Sequence, residues 1–475
     1  MNHLQYDLVV IGSGPAGEKG GAQASYFGKK VALIEKESVF GGAAANTGTI
    51  PSKTLRETSL MLSGFRARRL YGVDLAIHRE LTVKEFLYRE RHVVEAEQER
   101  AASNIESHNL NVYRGVGSFV DPHTIKVDSK GEEPVMLEGQ IILIATGSHP
   151  YHPDIYPFDH PRIYDSDSIL QLHDMPQKLA IFGAGIIGSE YACLFAAMDI
   201  EVFLIDGRDN FMGFLDVDVS NTLRSRMTKL GIEFIIPANV EKCEVDDDSV
   251  ALKLDSGRSL EVDAVLVASG RTGNTATLNL HTAGLEADRR GQLDVNEEYQ
   301  TSVPHIYAAG DVIGFPALAS TSMEQARLAM VNAFQLIYKK EVAPILPYGI
   351  YTIPEVSMAG ESEQSLNKAG VDYVVGKAGY GQNARGMIVG DLDGFLKLIF
   401  NRDDMKLLGV HVIGEAASEI VHIGLTALMM NADSDLFIRT CYNYPTLSEL
   451  YKYATYDAMG SRQRAETRIF VQKEK

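Results

Sequence analysis

Two glycine clusters in this 475-residue chain are spaced to receive a pyrophosphate. The first, Gly12-Ser13-Gly14-Pro15-Ala16-Gly17, follows the apolar run 6–11 and opens a stretch with helical character. In such a turn the first glycine permits the bend and the second lets the backbone approach a phosphate. The third lets the helix pack closely on the strand. The phosphate then meets the free N–H groups and the positive dipole end of the helix. Glu35 closes the next strand, 30–34, where a carboxylate accepts ribose hydroxyls. The second cluster, Gly183-Ala184-Gly185-Ile186-Ile187-Gly188, repeats the pattern, and Asp206 ends its following strand, 201–205. An acid there accepts the 2′-OH of NAD and repels the 2′-phosphate of NADP. Arg208 either offsets that repulsion or is a solvated surface arginine, and the sequence leaves both readings open. Two such turns in one chain imply two dinucleotides and electron transfer between them.

Each turn needs a strand before it and a helix behind it, and the chain supplies that unit twice, at 6–35 and 178–206. Between the two, 81–107 reads as one long, charged, solvated helix, followed by alternating stretches such as 124–127 and an apolar strand at 140–145. After the second unit, 249–254 and 260–268 alternate like a small antiparallel sheet. A short strand is expected at 305–310 and a helix at 321–338, opened by a capping box of Thr321 and Glu324. From 346 onward strands and helices mix without a nucleotide signature.

Composition is that of an ordinary globular protein, 45% apolar and 23% charged. A net charge of −18 argues against nucleic acid and against an anionic membrane surface as partners. The three cysteines, Cys193, Cys243 and Cys441, form no C-x-x-C or metal-clip pattern, so neither a disulfide framework nor a metal site is expected. Cys193 reads as a small buried packer, and His160, His305, His411 and His422 read as structural. Without a disulfide framework a reducing cytoplasmic home is expected, and with no basic leader and no apolar run of membrane-spanning length visible, a soluble protein is expected.

At Gly41-Gly42-Ala43-Ala44-Ala45-Asn46-Thr47-Gly48-Thr49-Ile50-Pro51-Ser52-Lys53 the chain resembles the flavoprotein disulfide reductases. Within them it is similar to the FAD-containing pyridine nucleotide transhydrogenase branch, through GTIPSK (48–53), HPRIYDSDSIL (160–170), GRTGNT (270–275), IYAAGDVIG (306–314), GIYTIPE (349–355) and NYPTLSE (443–449). The resemblance implies an α/β fold with two Rossmann-like domains, one for FAD and one for NAD(P), plus an α+β C-terminal dimerisation domain. The expected limits are 1–150 and 273–345 for the FAD domain, 151–272 for the NAD(P) domain and 346–475 for the interface domain. It further implies that Asp311 binds the ribityl chain of FAD and that Gly42, Thr146, Gly147, Gly270 and Ala319 line the cofactors. Lys53 and Glu190 match an ion pair beside flavin N5, and the helix following Ala319 would favour the N1/O2 edge of the flavin.

The redox disulfide of the family would stand at Ala44 and Thr49, so thiol–disulfide exchange through that pair is chemically impossible. The family's C-terminal His-Glu pair falls on Tyr444 and Glu449. A phenol, titrating near pH ~10 in water, is a poor acid–base for a thiol at neutral pH, and Tyr444 reads as core packing. Two positions depart from the branch: Ala44 replaces a cysteine commonly kept there, and acidic Asp206 counts against efficient use of NADPH. The expected activity is hydride transfer from NADPH to NAD+ through flavin, in a homodimer or higher homo-oligomer. Two alternatives stay open: reduction of a quinone or another small acceptor, and a low-turnover FAD/NAD-binding sensor or scaffold.

Overall fold

The computed structural model describes residues 3–64, 82–337 and 343–473, with side chains through 464. Leu81 and Tyr338, the outer ends of two expected helices, lie outside the described residues. The chain divides into two compact units. One gathers the described residues of Met1–Leu55, Thr82–Asp174 and Ala268–Val342; the other gathers those of Arg56–Leu81, Met175–Val267 and Ala343–Lys475.

In the first unit a parallel sheet runs Asn111–Arg114, Val31–Glu35, His3–Ile11, Val135–Ile144, with Ile306–Ala308 beyond. Val116–Asp121 and Thr124–Asp128 complete an antiparallel meander on the first half of Val135–Ile144. The apolar run at the N-terminus becomes a central strand because both its faces are covered. Val9 and Ile11 join Phe119, Ile125 and Leu278 on one side, and Leu8 and Val10 join Ala16, Leu143 and Ala326 on the other. Helices Pro15–Tyr26, Tyr88–Ser107 and Ala319–Phe334 belong to this unit. The expected helix 81–107 is broken at Leu87, between Val83–Phe86 and Tyr88–Ser107. A capping box of Thr82 and Glu85 starts the first piece.

In the second unit the parallel strands run Ile232–Ile235, Glu201–Ile205, Lys178–Phe182, Ala264–Val267. The expected antiparallel stretch 260–268 divides. Ser259–Val262 does pair antiparallel with Val250–Leu254, but Ala264–Val267 joins the parallel sheet. Its Ala-Val-Leu-Val run is buried on both faces, as a central parallel strand requires, whereas the alternation ends at Val262. The C-terminal sheet is antiparallel, in the order Tyr348–Ile350, Val356–Gly360, Leu407–Ile413, Phe395–Asn401, Tyr373–Gly379. Helices Ala417–Met429 and Leu450–Lys473 share its core. Buried Tyr451 joins these helices: its hydroxyl donates to Ile420 O at 2.8 Å and accepts from Gly424 N–H at 2.9 Å.

One buried charge ties the parallel-sheet part of this unit to its C-terminal part. Lys397 is fully buried, and its ammonium donates to Asp216 Oδ1 and Asp218 Oδ2 at 2.7 Å each and also to Glu363. Asp216 caps helix Val217–Lys229, and Lys397 lies on strand Phe395–Asn401. The three carboxylates lie close enough to hold a cation, and the lysine ammonium takes that role. Among the described residues no helix is long and apolar enough to cross a membrane.

Candidate functional site

The two glycine turns have the same construction, one in each unit. Gly12 and Gly183 both sit at positive φ, 103° and 109°, at the C-terminal end of a central strand. A Cβ on Gly17 would stand 1.8 Å from Gly12 O, and one on Gly188 1.9 Å from Gly183 O, so no larger residue lets the helix pass. The helices that follow, Pro15–Tyr26 and Ile186–Ala197, are capped by Gly14 and Gly185 with no side-chain hydrogen bond, which leaves their first N–H groups to an outside anion.

The acid at the end of each neighbouring strand holds its turn. Ser13 N–H donates to Glu35 Oε2 at 2.9 Å, and Ala184 N–H donates to Asp206 Oδ2 at 2.7 Å. From there the sites diverge. Ser13 Oγ adds a second bond to Glu35 Oε2 at 2.6 Å, and Glu37 N–H takes Oε1, leaving acceptor capacity on Oε1 for a ribose hydroxyl. At Asp206 the further partner is Arg208. Its backbone N–H and Nε–H both donate to Oδ1 at 2.9 Å and Nη2–H donates to Oδ2 at 2.7 Å. Burial pushes the Asp206 carboxyl up, but these donors outweigh it and hold the group below the usual carboxylate range. Arg208 is therefore paired with the acid while its side chain stays 69% exposed.

Around the first turn the other expected residues gather. A Cβ on Gly42 would lie 2.7 Å from Gly14 Cα, so the two glycine backbones approach too closely for a side chain on Gly42. Ala145 O and Thr146 Cα flank Gly12, and the Thr146 hydroxyl is shut from solvent and has no hydrogen-bond partner among the described residues. Gly147 and Gly270 border open space. Asp311 begins a short 3-10 turn after Gly310 and accepts from Ser148 Oγ at 3.0 Å through Oδ2. Ala319 is the first residue of helix Ala319–Phe334. The expected capping box is not formed: Leu318 is the N-cap and makes no side-chain hydrogen bond, so Thr321 and Glu324 fall inside the first turns. Ser322 Oγ instead donates back to Leu318 O at 2.9 Å. That helix end is thus also free of a side-chain cap. Open backbone at the glycines, uncapped helix ends and an orphaned buried hydroxyl fit FAD at the first turn.

Ala44 lies in the short helix Gly42–Asn46 and Thr49 opens helix Thr49–Leu62, which also carries Lys53. Lys53 belongs to the first unit; Glu190 belongs to the second, is buried, and accepts from Tyr351 N–H at 2.8 Å. Tyr444 is 75% exposed on the single chain, against the expected core packing, because it lies in an irregular segment ahead of the last helix. Glu449 Oε2 is 3.5 Å from Asn383 Nδ2. Cys193 is buried as expected, and burial pushes its thiol up to about 12. His305 donates to Pro122 O at 2.8 Å and stacks on His123, and His411 donates to Glu361 O at 2.9 Å within the C-terminal sheet. Sequence reasoning missed Ser13, Ser148, Asp167 and Arg271. Ser13, Asp167 and Arg271 are hinted at only by their place inside quoted motifs, and Ser148 not at all, since their partners come from other segments.

The chain matches the pyridine nucleotide-disulphide oxidoreductase family over residues 6–326 and that family's dimerisation domain over 346–455. It is 42% identical over 457 residues to a soluble pyridine nucleotide transhydrogenase of Mycobacterium tuberculosis, covering 96% of this chain and 97% of that one. It is 41% identical over 462 residues to one of Salmonella paratyphi B, covering 96% and 98%. Among solved structures it is similar to the HOCl-induced flavoprotein disulfide reductase RclA from Escherichia coli. That likeness has a TM-score of 0.85 and 26% identity and covers 95% of this chain and 99% of the other. With its two glycine turns and antiparallel C-terminal sheet, the chain belongs to the pyridine nucleotide-disulphide oxidoreductase family.

Proposed function

We propose that this flavin-dependent pyridine nucleotide oxidoreductase moves hydride from NADPH to NAD+, yielding NADP+ and NADH, as a soluble transhydrogenase. The observation that carries the reading is the coexistence of two intact nucleotide turns with Ala44 and Thr49 where the family's disulfide would stand. With no sulphur to pass the electron pair onward, a second nicotinamide is the natural recipient. When bound, FAD would supply reversible hydride chemistry between a reduced and an oxidised nicotinamide.

The chain supplies binding and orientation. The Gly12–Gly17 turn and the Pro15–Tyr26 helix end hold the FAD pyrophosphate, Glu35 takes its ribose, and Asp311 takes the ribityl chain. Gly42, Thr146, Gly147, Gly270 and Ala319 leave room for it or face it. Lys53 and Glu190 serve as the charge pair at the flavin ring, and the Gly183–Gly188 turn with Asp206 and Arg208 receives the nicotinamide nucleotide. Tyr444 and Glu449 have no acid–base task here. The segments 1–150, 151–272, 273–345 and 346–475 serve as first FAD, NAD(P), second FAD and interface domains. A reducing cytoplasm suits three cysteines that form no disulfide.

Anaerobic stopped flow tests the reading. NADPH should bleach the flavin and NAD+ should restore its colour, each step fast enough to support turnover. If NAD+ fails to reoxidise the flavin while a quinone succeeds, the acceptor is a quinone. A chain that binds FAD but bleaches with neither reduced nucleotide would be a sensor.

A further inference from the structure

Apart from Gly270, the motifs 160–170 and 270–275 have no task in the reading above, yet the structure joins them to Asp311. Arg271 heads strand Arg271–Gly273, which pairs antiparallel with Ser148–Pro150. Its Nε–H donates to Ser148 Oγ and its Nη2–H to Ser148 O, both at 2.8 Å. Arginine has donors only, so the single proton of the Ser148 hydroxyl is left for Asp311 Oδ2, 3.0 Å away. Asp311 Oδ1 accepts no hydrogen bond among the described residues. On the other side of the guanidinium, Nη1 lies 3.6 Å from Asp167 Oδ1 and 3.5 Å from Ser166 Oγ. Asn274, three residues on, donates from Nδ2 to Thr146 O at 2.8 Å and from its N–H to Gly147 O at 2.9 Å.

We propose that Arg271, Ser148 and Asp167 are positioning residues that fix the Asp311 carboxylate for the ribityl chain of FAD. The inference rests on the FAD reading above. The contacts have one direction, Arg271 paired with Asp167 and donating to Ser148, and Ser148 donating to Asp311, so Asp311 is held with one oxygen engaged and the other unengaged. Burial pushes the Asp167 carboxyl up and the Arg271 charge pulls it back, which marks the pair as mutual counterions in a partly dry site.

FAD release from the diluted holoenzyme, followed as the rise in flavin fluorescence, tests this without reference to turnover. Ser148→Ala deletes one hydroxyl and leaves the fold intact; Arg271→Met removes the fork; Arg271→Lys keeps the charge without the fork. Both Ser148→Ala and Arg271→Met should release FAD roughly ten- to a hundredfold faster, as for loss of a hydrogen bond to a charged group, with Arg271→Lys between. On an Asp311→Ala background, Arg271→Met should add little, since the two act as a unit. Release at the parental rate from both Ser148→Ala and Arg271→Met, while Asp311→Ala sheds its FAD, would overturn the positioning role alone. If Asp311→Ala itself holds FAD as well as the parent does, the assignment of Asp311 to the ribityl chain fails, and the positioning role with it.

Discussion

Asp206 accepts once from Ala184 and three times from Arg208, which fills the acceptor sites of its carboxylate and cancels its charge. A bare acid at this position would repel a 2′-phosphate; a paired one does not. Removing the guanidinium therefore exposes the repulsion. Arg208→Ala should weaken NADPH roughly tenfold relative to NADH, a modest effect because the side chain is mostly solvated. Asp206→Asn should shift preference the other way. Binding constants from anaerobic flavin reduction at low and high ionic strength check this, and the Arg208→Ala effect should shrink with salt. Equal losses for both nucleotides would return Arg208 to the surface role. At this scale the sequence is half legible. A strand-end acid follows from the turn pattern, but whether a neighbouring arginine curls back onto it depends on backbone direction after the strand. The links from Arg271 to Ser148 and Asp167 are illegible for a related reason: they join residues 123 and 104 positions apart, counted as 271 less 148 and 271 less 167.

Elements succeed or fail on local geometry, and there the glycine turns are fully legible: the residue type is forced by the space. A methyl at Gly17 or Gly188 meets a carbonyl oxygen at less than 2 Å, so the helix end must move off the strand. The two substitutions should nevertheless have different phenotypes. Gly17→Ala should give a colourless protein, while Gly188→Ala should stay yellow yet fail to bleach with either NADH or NADPH; absorbance spectra before and after each nucleotide decide it. The helix at Ala319 shows the opposite case, because a Ser/Thr-x-x-Glu signature occurs one turn inside a helix whose start is set by Leu318 and the preceding loop. The Lys397 cluster is another element-level feature that sequence cannot show. Burial alone would push its ammonium down, but Asp216, Asp218 and Glu363 outweigh burial and hold it above the ordinary lysine value. Lys397→Met strands the buried Asp216 carboxylate and should cost about 3–5 kcal/mol of stability. The raised lysine contributes fully at neutral pH and is lost only as pH climbs through its elevated value. Asp218, held below its usual range against burial by Lys377 and Lys397, contributes above about pH 4 and is lost as pH falls through its lowered value. The gap in melting temperature between parent and Lys397→Met should therefore be widest from about pH 5 to 9 and narrow in acid. A gap that persists unchanged at pH 3 would mean that the lysine acts through packing alone.

For the whole molecule the informative surface is at the C-terminus. Tyr444, Tyr453, Tyr456 and Met459 are all exposed on the single chain, and the last three recur every third residue along helix Leu450–Lys473. Scattered exposed apolar side chains are ordinary, but a stripe of them on one helix, within or beside a segment that matches a dimerisation domain, is a surface made to be covered. A second copy of the chain covers it most simply by two-fold symmetry, each stripe meeting the same patch on its partner. Light scattering on the holoenzyme should then report twice the 52.1 kDa chain mass. Tyr456→Glu puts a charge into each half of a self-complementary patch, so the charge enters twice and the cost doubles. The variant should sediment as a concentration-dependent mixture that shifts to the single-chain mass on dilution. Tyr444→Phe, which deletes one exposed hydroxyl, should leave both the mass and the transhydrogenation rate within about twofold of the parent. If Tyr456→Glu keeps the doubled mass at every dilution, the stripe faces solvent in the assembly and the copies meet through another face.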